Sequence, residues 1–90
     1  MRVLGIDPGT YKMGVGIVTP SGSDFELIYT GVISPKRGDP ISKRLGFLFD
    51  GLTGIIQEWK PTHVAIEEPF VGRNIKAAMA IGHAQAVAML

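Results

Sequence analysis

Two acidic residues each follow a short apolar run, at the point where a strand would end. Asp7 follows residues 3–6 (VLGI), and Glu67 follows residues 64–66 (VAI). If the two runs form parallel neighbouring strands, both carboxylates emerge side by side at the edge of the sheet where α/β proteins bind ligands. Adjacent carboxylates repel unless a divalent cation lies between them, and oxygen ligands without cysteine favour Mg²⁺ or Mn²⁺. Such a pair predicts metal-assisted phosphodiester cleavage, often with two ions about 4 Å apart.

Each acid also has a simpler interpretation. Asp7 precedes Pro8-Gly9, where an aspartate commonly forms an Asx-turn, and Glu67 and Glu68 could be a solvated strand end. For each acid taken alone, the simpler interpretation is favoured. Taken together, at matched strand ends, the two acids favour a metal site and the simpler interpretations equally. The stretch "GIDPGT" at 5–10 also resembles the first phosphate loop of actin- and Hsp70-like ATPases, in which backbone amides bind phosphate. The sequence contains no second phosphate loop or adenosine site of that class.

The composition indicates one small α/β domain with a hydrophobic core. The chain has 90 residues, is 46% hydrophobic, carries a formal net charge of +1 and contains no cysteine. This charge is too balanced to indicate nucleic-acid binding by itself, so a DNA site would depend on local basic patches. The lack of cysteine excludes disulfides and thiolate metal sites. We expect a cytoplasmic protein without a signal peptide, and no apolar run approaches the ~20 residues of a membrane helix.

The sequence pattern predicts six elements in the order β-β-β-α-β-α. The strands are expected at 2–7, 13–19, 25–34 and 63–67, and the helices at 40–59 and 74–90. Three strands with short turns predict an antiparallel meander, after which the first helix leads to a strand parallel to the first strand. The first strand reads as covered on both faces because it is apolar nearly throughout.

The ends and faces of the two predicted helices follow from local signals. Asp39 is the expected N-cap of the first helix, with Pro40 as its first residue and Pro61 after its end. Its apolar residues recur every three or four positions and leave Lys43 and Arg44 on the solvent side. The second helix is apolar on nearly every face, which predicts burial against the sheet and against a partner.

Several motifs together carry a family resemblance that spans essentially the whole chain. In order, they are "GIDPG" at 5–9, Gly14 and Gly16, "AIE" at 65–67, Phe70, Asn74 and "IGHAQA" at 81–86. They resemble the RuvC-type Holliday-junction resolvases, the crossover junction endodeoxyribonucleases. "GIDPG" is shared with other nuclease and ATPase folds, whereas the "AIE" segment with its following Phe and Asn is more specific. The resemblance covers only the N-terminal part of that family.

The resemblance implies a ribonuclease H-like fold and a homodimer that nicks four-way DNA junctions symmetrically with Mg²⁺ or Mn²⁺. This activity belongs to DNA recombination and repair, with a branch-migration motor complex as a further partner. By resemblance Asp7 and Glu67 are the catalytic metal ligands, and the homodimer forms through residues 74–90. The DNA-binding residues it implies are Phe70, Arg73, Asn74, Lys76, Tyr11 and Lys12. From the residues alone, Phe70 is equally a core side chain, and Arg73 and Lys76 are equally solvated charges.

The chain departs from the family pattern in its number of acids. The family uses four carboxylates, and the last two come from a final helix that has no counterpart within residues 1–90. We therefore expect a single ribonuclease H-like domain at 1–90 that stops before the fifth strand and final helix, binds metal weakly and has little nuclease activity alone. The alternative is a non-catalytic DNA-binding or dimerising module with the same fold. His63 and His83 are not expected to bind metal.

Overall fold

The computed structural model describes residues 1–67, 83–84 and 86–90. Its elements, in chain order, are β1 (Val3–Asp7), β2 (Met13–Ser21), β3 (Asp24–Ile33), α1 (Ile41–Trp59) and β4 (His63–Ile66). Their order matches the predicted β-β-β-α-β sequence, with bounds that differ by one or two residues. None of the described helices is long and apolar enough to cross a membrane.

The four described strands form one mixed sheet in the order β3-β2-β1-β4. β2 is antiparallel to both β1 and β3, and β4 is parallel to β1. The tight reversal between β2 and β3 uses Gly22 at φ 62°, a positive value that favours glycine in a two-residue hairpin turn. β1 and β4 are parallel because α1 carries the chain back across the sheet. This topology confirms the predicted mixed α/β sheet of a ribonuclease H-like fold.

One face of the sheet forms the hydrophobic core together with α1. Alternate residues of the central strands point to this face, as the period of two requires. The buried apolar residues are Leu4, Ile6, Met13, Val15, Ile17, Ile33, Leu48, Leu52, Ala84 and Val87. Among the described residues, β1 is covered on this face only. Its other face lies along a groove lined by described residues, and cover of this face by residues 68–82 lies outside the described part of the chain, so a first strand covered on both faces stays a prediction.

β3 departs from the regular alternation that its sequence predicts. Ile17 and Val18 of β2 pair with Tyr29 and Leu27, which leaves Ile28 as an extra residue in β3. This β-bulge brings Ile28 and Tyr29 against the core, while Leu27 remains 59% exposed. Both Leu27 and Ile28 are apolar, so the hydrophobic pattern alone could not show where the strand changes register.

The N-terminus of α1 differs from the prediction by one residue. Pro40 is the N-cap, and no side chain caps the helix, so Asp39 is not the cap. Pro40 has an extended ψ of 157° and its carbonyl accepts from the amides of Lys43 and Arg44, so the helix begins one residue later than predicted and Asp39 lies in the preceding turn. The Asp39 amide donates instead to the Lys36 carbonyl at 3.3 Å. At the other end, Lys60 adopts a left-handed conformation and its N–H donates to the Ile56 carbonyl at 2.8 Å.

Most of the predicted second helix, at 74–90, lies outside the described residues. Residues 83–84 and 86–89 are helical, and Ala84 and Val87 are buried against the core. Met89 and Leu90 are exposed.

Candidate functional site

Asp7 and Glu67 are neighbours at the carboxyl-terminal edge of the sheet. Ile6 pairs with Ile66 in the parallel β1–β4 ladder, so the two acids are the next residues on adjacent strands. The Glu67 N–H donates to the Ile6 carbonyl at 2.8 Å, which extends the ladder to the acid itself. Adjacent strands lie about 4.8 Å apart. Both acidic residues are exposed, on the face opposite the buried Ile6.

An open groove runs along this face beside the two acids. It has a volume of about 490 Å³ and is lined by Gly5, Ile6, Asp7, Gly14, Val15, Gly16, Ala65, Ile66 and Glu67. The residues that face it have small side chains or none, since Gly5 pairs with Gly16 on one side and with Ala65 on the other. A Cβ atom added at Gly14 would lie 3.5 Å from the Asp7 Cβ. A ligand can therefore reach the sheet backbone and the Asp7 carboxylate together.

The donor chemistry of this pair fits a hard divalent cation. Two carboxylates supply oxygen ligands, and Mg²⁺ is commonly bound by one or two carboxylates with water and phosphate oxygens at its other positions. Within the described part of the chain, no group of three or more His, Cys, Asp or Glu side chains comes together. The described residues thus bring two carboxylates together, and any cation between them would take its remaining ligands from water or substrate.

A basic cluster lies at the same edge of the sheet. β3 runs parallel to β1, so the loop after β3 and the start of α1 adjoin the 8–12 turn that follows Asp7. The guanidinium carbons of Arg44 and Arg37 lie 4.2 and 5.5 Å from the centroid of the Tyr11 ring. We call Tyr11, Arg37 and Arg44 the Tyr11 cluster. Tyr11 is 48% exposed, and Lys12 next to it is also exposed.

Sequence reasoning missed Arg44, which it placed on the solvent side of α1. The structure shows it partly buried, with its Nε donating to the Asp39 carbonyl at 3.1 Å and its Nη1 lying 3.5 Å from the Thr10 carbonyl. One signal could have identified it. Lys43 and Arg44 lie in the first turn of a helix that has no acidic residue there, although acids are favoured at helix N-termini.

The remaining predicted site residues have different outcomes. His63 is exposed at the start of β4, as predicted, with its Nδ1 2.9 Å from the Thr62 hydroxyl, and His83 is exposed as well. The candidates Phe70, Arg73, Asn74 and Lys76 lie outside the described residues, as does Glu68.

Comparison with known proteins identifies the family. The family model described as crossover junction endodeoxyribonuclease RuvC matches residues 3–90. The protein of that name from Dehalococcoides mccartyi is 44% identical over 90 residues, which are 100% of this chain and 54% of the relative. The Maricaulis maris protein of that name is 41% identical over the same shares.

A solved structure gives the same result. T. thermophilus RuvC, in complex with a Holliday junction substrate, superimposes with a TM-score of 0.89 at 28% identity and covers 99% of this chain and 57% of that one. The chain thus spans little more than half the length of the relatives it matches. The match over nearly all of its residues shows that the chain belongs to the crossover junction endodeoxyribonuclease RuvC family.

Proposed function

We propose that this protein is a metal-dependent, structure-selective endonuclease that resolves four-way DNA junctions by symmetric phosphodiester nicking. The observation that carries the proposal is the pairing of Asp7 with Glu67 on adjacent strands, on the open face of the sheet. Family membership and the structural relative bound to a Holliday junction substrate support the choice of DNA as the substrate. Because the chain spans about half of its relatives, the activity is proposed for the protein at its full encoded length.

In this proposal Asp7 and Glu67 are the catalytic residues and hold Mg²⁺ or Mn²⁺. When bound, such an ion polarises the phosphodiester and activates a water molecule for attack. The chain's own contribution is geometric. The ladder hydrogen bond from the Glu67 amide fixes one acid, the end of β1 fixes the other, and the glycine-lined groove admits a DNA strand close to both. Two acids alone leave the ion incompletely held, so we expect weak metal binding and little nicking by residues 1–90 alone.

The proposed DNA contacts surround this groove. Tyr11 and Lys12 lie in the turn that follows Asp7, where both are exposed. The other contacts that we propose are Phe70, Arg73, Asn74 and Lys76.

We further propose that residues 1–90 act as one domain, that the protein is a cytoplasmic homodimer joined through residues 74–90, and that a branch-migration motor is a partner. Ala84 and Val87 are buried, which supports one face of residues 74–90 packing on the domain core. Met89 and Leu90 are exposed, which supports another face that a second copy could contact.

A second candidate function is a DNA-binding or dimerising module that does not cut. It is favoured by one observation, that the described residues bring together only two acids. The two candidates differ in their dependence on Asp7, since a module that only binds needs no metal ligand.

The test is nicking of a synthetic four-way junction in Mg²⁺ or Mn²⁺ by the protein at its full encoded length. We expect the unmodified protein to nick the junction and its Asp7→Asn variant to lose at least 100-fold in rate. The matched control is Glu58→Gln, which removes an exposed carboxylate from the last turn of α1, where Trp59 contacts Arg2 at the amino-terminal end of β1. Junction binding without nicking would favour the module, and full activity of Asp7→Asn would contradict the proposed site.

A further inference from the structure

We propose that the Tyr11 cluster is a binding site for the backbone phosphates of the DNA strand that enters the groove at Asp7. This inference rests on the proposed function, because it assumes that DNA is the substrate, and it assigns a role to Arg37 and Arg44. Both guanidinium groups lie over the ring of Tyr11, at 4.2 Å for Arg44 and 5.5 Å for Arg37. Cation–π stacking occupies the flat face of a guanidinium and leaves its edge N–H donors available for phosphate.

The hydrogen bonds of the cluster leave donors for a ligand. An arginine side chain carries five N–H donors. Arg44 directs its Nε to the Asp39 carbonyl and one Nη1 donor towards the Thr10 carbonyl, so three N–H groups are not used by the described residues. Arg37 makes no side-chain hydrogen bond to the described part of the chain, and no ion pair joins either arginine to a carboxylate there. Hydrogen bonds thus hold the Arg44 guanidinium in position, Arg37 lies over the same ring, and both keep N–H donors that can bind phosphate bidentately.

The position of the cluster follows from the topology. The turn after β1 supplies Tyr11, the loop after β3 supplies Arg37, and the first turn of α1 supplies Arg44. All three segments lie at the sheet edge where β1 ends in Asp7. Lys12, Lys36 and Lys43 belong to the same segments and add positive charge, which raises the local concentration of a polyanion.

The stability of α1 does not account for this concentration of positive charge. The N-terminus of a helix carries partial positive charge, so cations in the first turn are unfavourable there. The first turn of α1 has no acidic residue to offset Lys43 and Arg44. A bound phosphate would offset both the helix charge and the side-chain charges. Because the ligand is the sugar–phosphate backbone, the site adds affinity and orientation for DNA without base preference.

Arg2 provides a matched control within the same chain. Its guanidinium carbon lies 5.8 Å from the Trp59 ring centroid, and its Nη1 donates to the Trp59 carbonyl at 2.7 Å. This is the same kind of contact, but it lies at the amino-terminal end of β1, on the opposite edge of the sheet from Asp7. Replacing Arg2 changes the net charge as much as replacing Arg37 does, without touching the proposed site.

The experiment measures DNA affinity against salt concentration for the protein at its full encoded length, without a catalytic metal. The ligands are a four-way junction and a duplex of equal length. The logarithm of the binding constant falls with the logarithm of the salt concentration, and each lost phosphate contact reduces the magnitude of that slope by about 1. We expect Arg37→Gln to reduce the magnitude of the slope by about 1 and to weaken DNA binding at least 3-fold. Arg2→Gln should leave the slope and the affinity unchanged. Arg44→Lys, which keeps the charge but loses the planar fork, is expected to weaken binding with little change in slope.

The outcomes separate this inference from the proposed function. Equal effects of Arg37→Gln and Arg2→Gln would overturn the phosphate site, because only total charge would then matter. If Arg37→Gln reduces the magnitude of the salt slope for duplex binding and Arg2→Gln does not, the phosphate site is supported. This holds even if the protein shows no junction preference and no nicking. Thermal unfolding of each variant provides a control for folding. The Arg37 side chain makes no hydrogen bond to the described residues, so Arg37→Gln removes none of them. A protein that binds neither DNA would overturn both proposals.

Discussion

The close approach of α1 to β3 depends on the glycine at position 51. A Cβ atom added at Gly51 would lie 2.9 Å from Cγ2 of Ile33, closer than real Cβ atoms approach, and 3.1 Å from its Cδ1, which is a tight contact. Ile33 is buried and β-branched, so its side chain cannot easily rotate away. Gly46 and Gly54 of the same helix have no atom within 4 Å of such a Cβ. One substitution, glycine to alanine, therefore compares one crowded position with two open positions in the same helix.

The expected changes in the free energy of unfolding have opposite signs. In a helix interior alanine is more favourable than glycine by about 0.8–1.0 kcal/mol, so Gly46→Ala and Gly54→Ala should each stabilise the protein by about that amount. Gly51→Ala gains the same term but overpacks the contact with Ile33, at a cost of about 1–3 kcal/mol. Its net effect is then a loss of about 0–2 kcal/mol. The difference between Gly54→Ala and Gly51→Ala should be about 1–3 kcal/mol.

Urea denaturation of the three variants measures this difference directly. The slope of unfolding free energy with urea should stay constant, so that the midpoints report stability alone. In thermal melts, a gain of 1 kcal/mol corresponds to about 4–8 °C for a domain of this size. Equal stabilisation by Gly51→Ala and Gly54→Ala would refute the placement of α1 against Ile33. It would also remove the basis for the Tyr11 cluster, because the same helix carries Arg44 to Tyr11.

Two further substitutions test the helix end and the groove. Lys60→Gly should raise the free energy of unfolding by about 1 kcal/mol, because Lys60 adopts φ 49° and glycine enters this left-handed conformation without steric strain. Thermal melting measures the change, and an unchanged melting temperature would contradict it. Gly14→Val should lower junction nicking at least 10-fold without loss of stability, because its side chain would enter the groove beside Asp7 from a position where a Cβ makes only a 3.5 Å contact. Normal nicking by Gly14→Val would show that the groove is not where DNA approaches Asp7.

The juxtaposition of Asp7 and Glu67 could be predicted from the sequence, because it follows from rules that act over whole elements. An apolar run that ends in an acid predicts the end of a strand, and a helical crossover makes the next strand parallel. These rules place the ends of β1 and β4 at the same edge without knowledge of any side-chain contact. The apolar stripe of α1 was predictable for the same reason, and Leu48 and Leu52 from it are buried.

The details that were wrong or missed depend on tertiary contacts. The stack of Arg44 on Tyr11 requires residues more than thirty positions apart, and it forms only because α1 lies against β3. The bulge at Ile28 was hidden because Leu27 and Ile28 are both apolar and either could face the core.

The central claim, that Asp7 and Glu67 together hold a divalent cation, is tested most directly with Mn²⁺ as a paramagnetic probe. Amide NMR signals of the chain would be recorded during Mn²⁺ titration, since weak binding is still detected as selective line broadening. The account predicts broadening first at Asp7, Gly14 and Glu67, and its loss in both Asp7→Asn and Glu67→Gln but not in Glu58→Gln. Broadening that begins at another acidic residue, or that persists unchanged in Asp7→Asn, would contradict the claim.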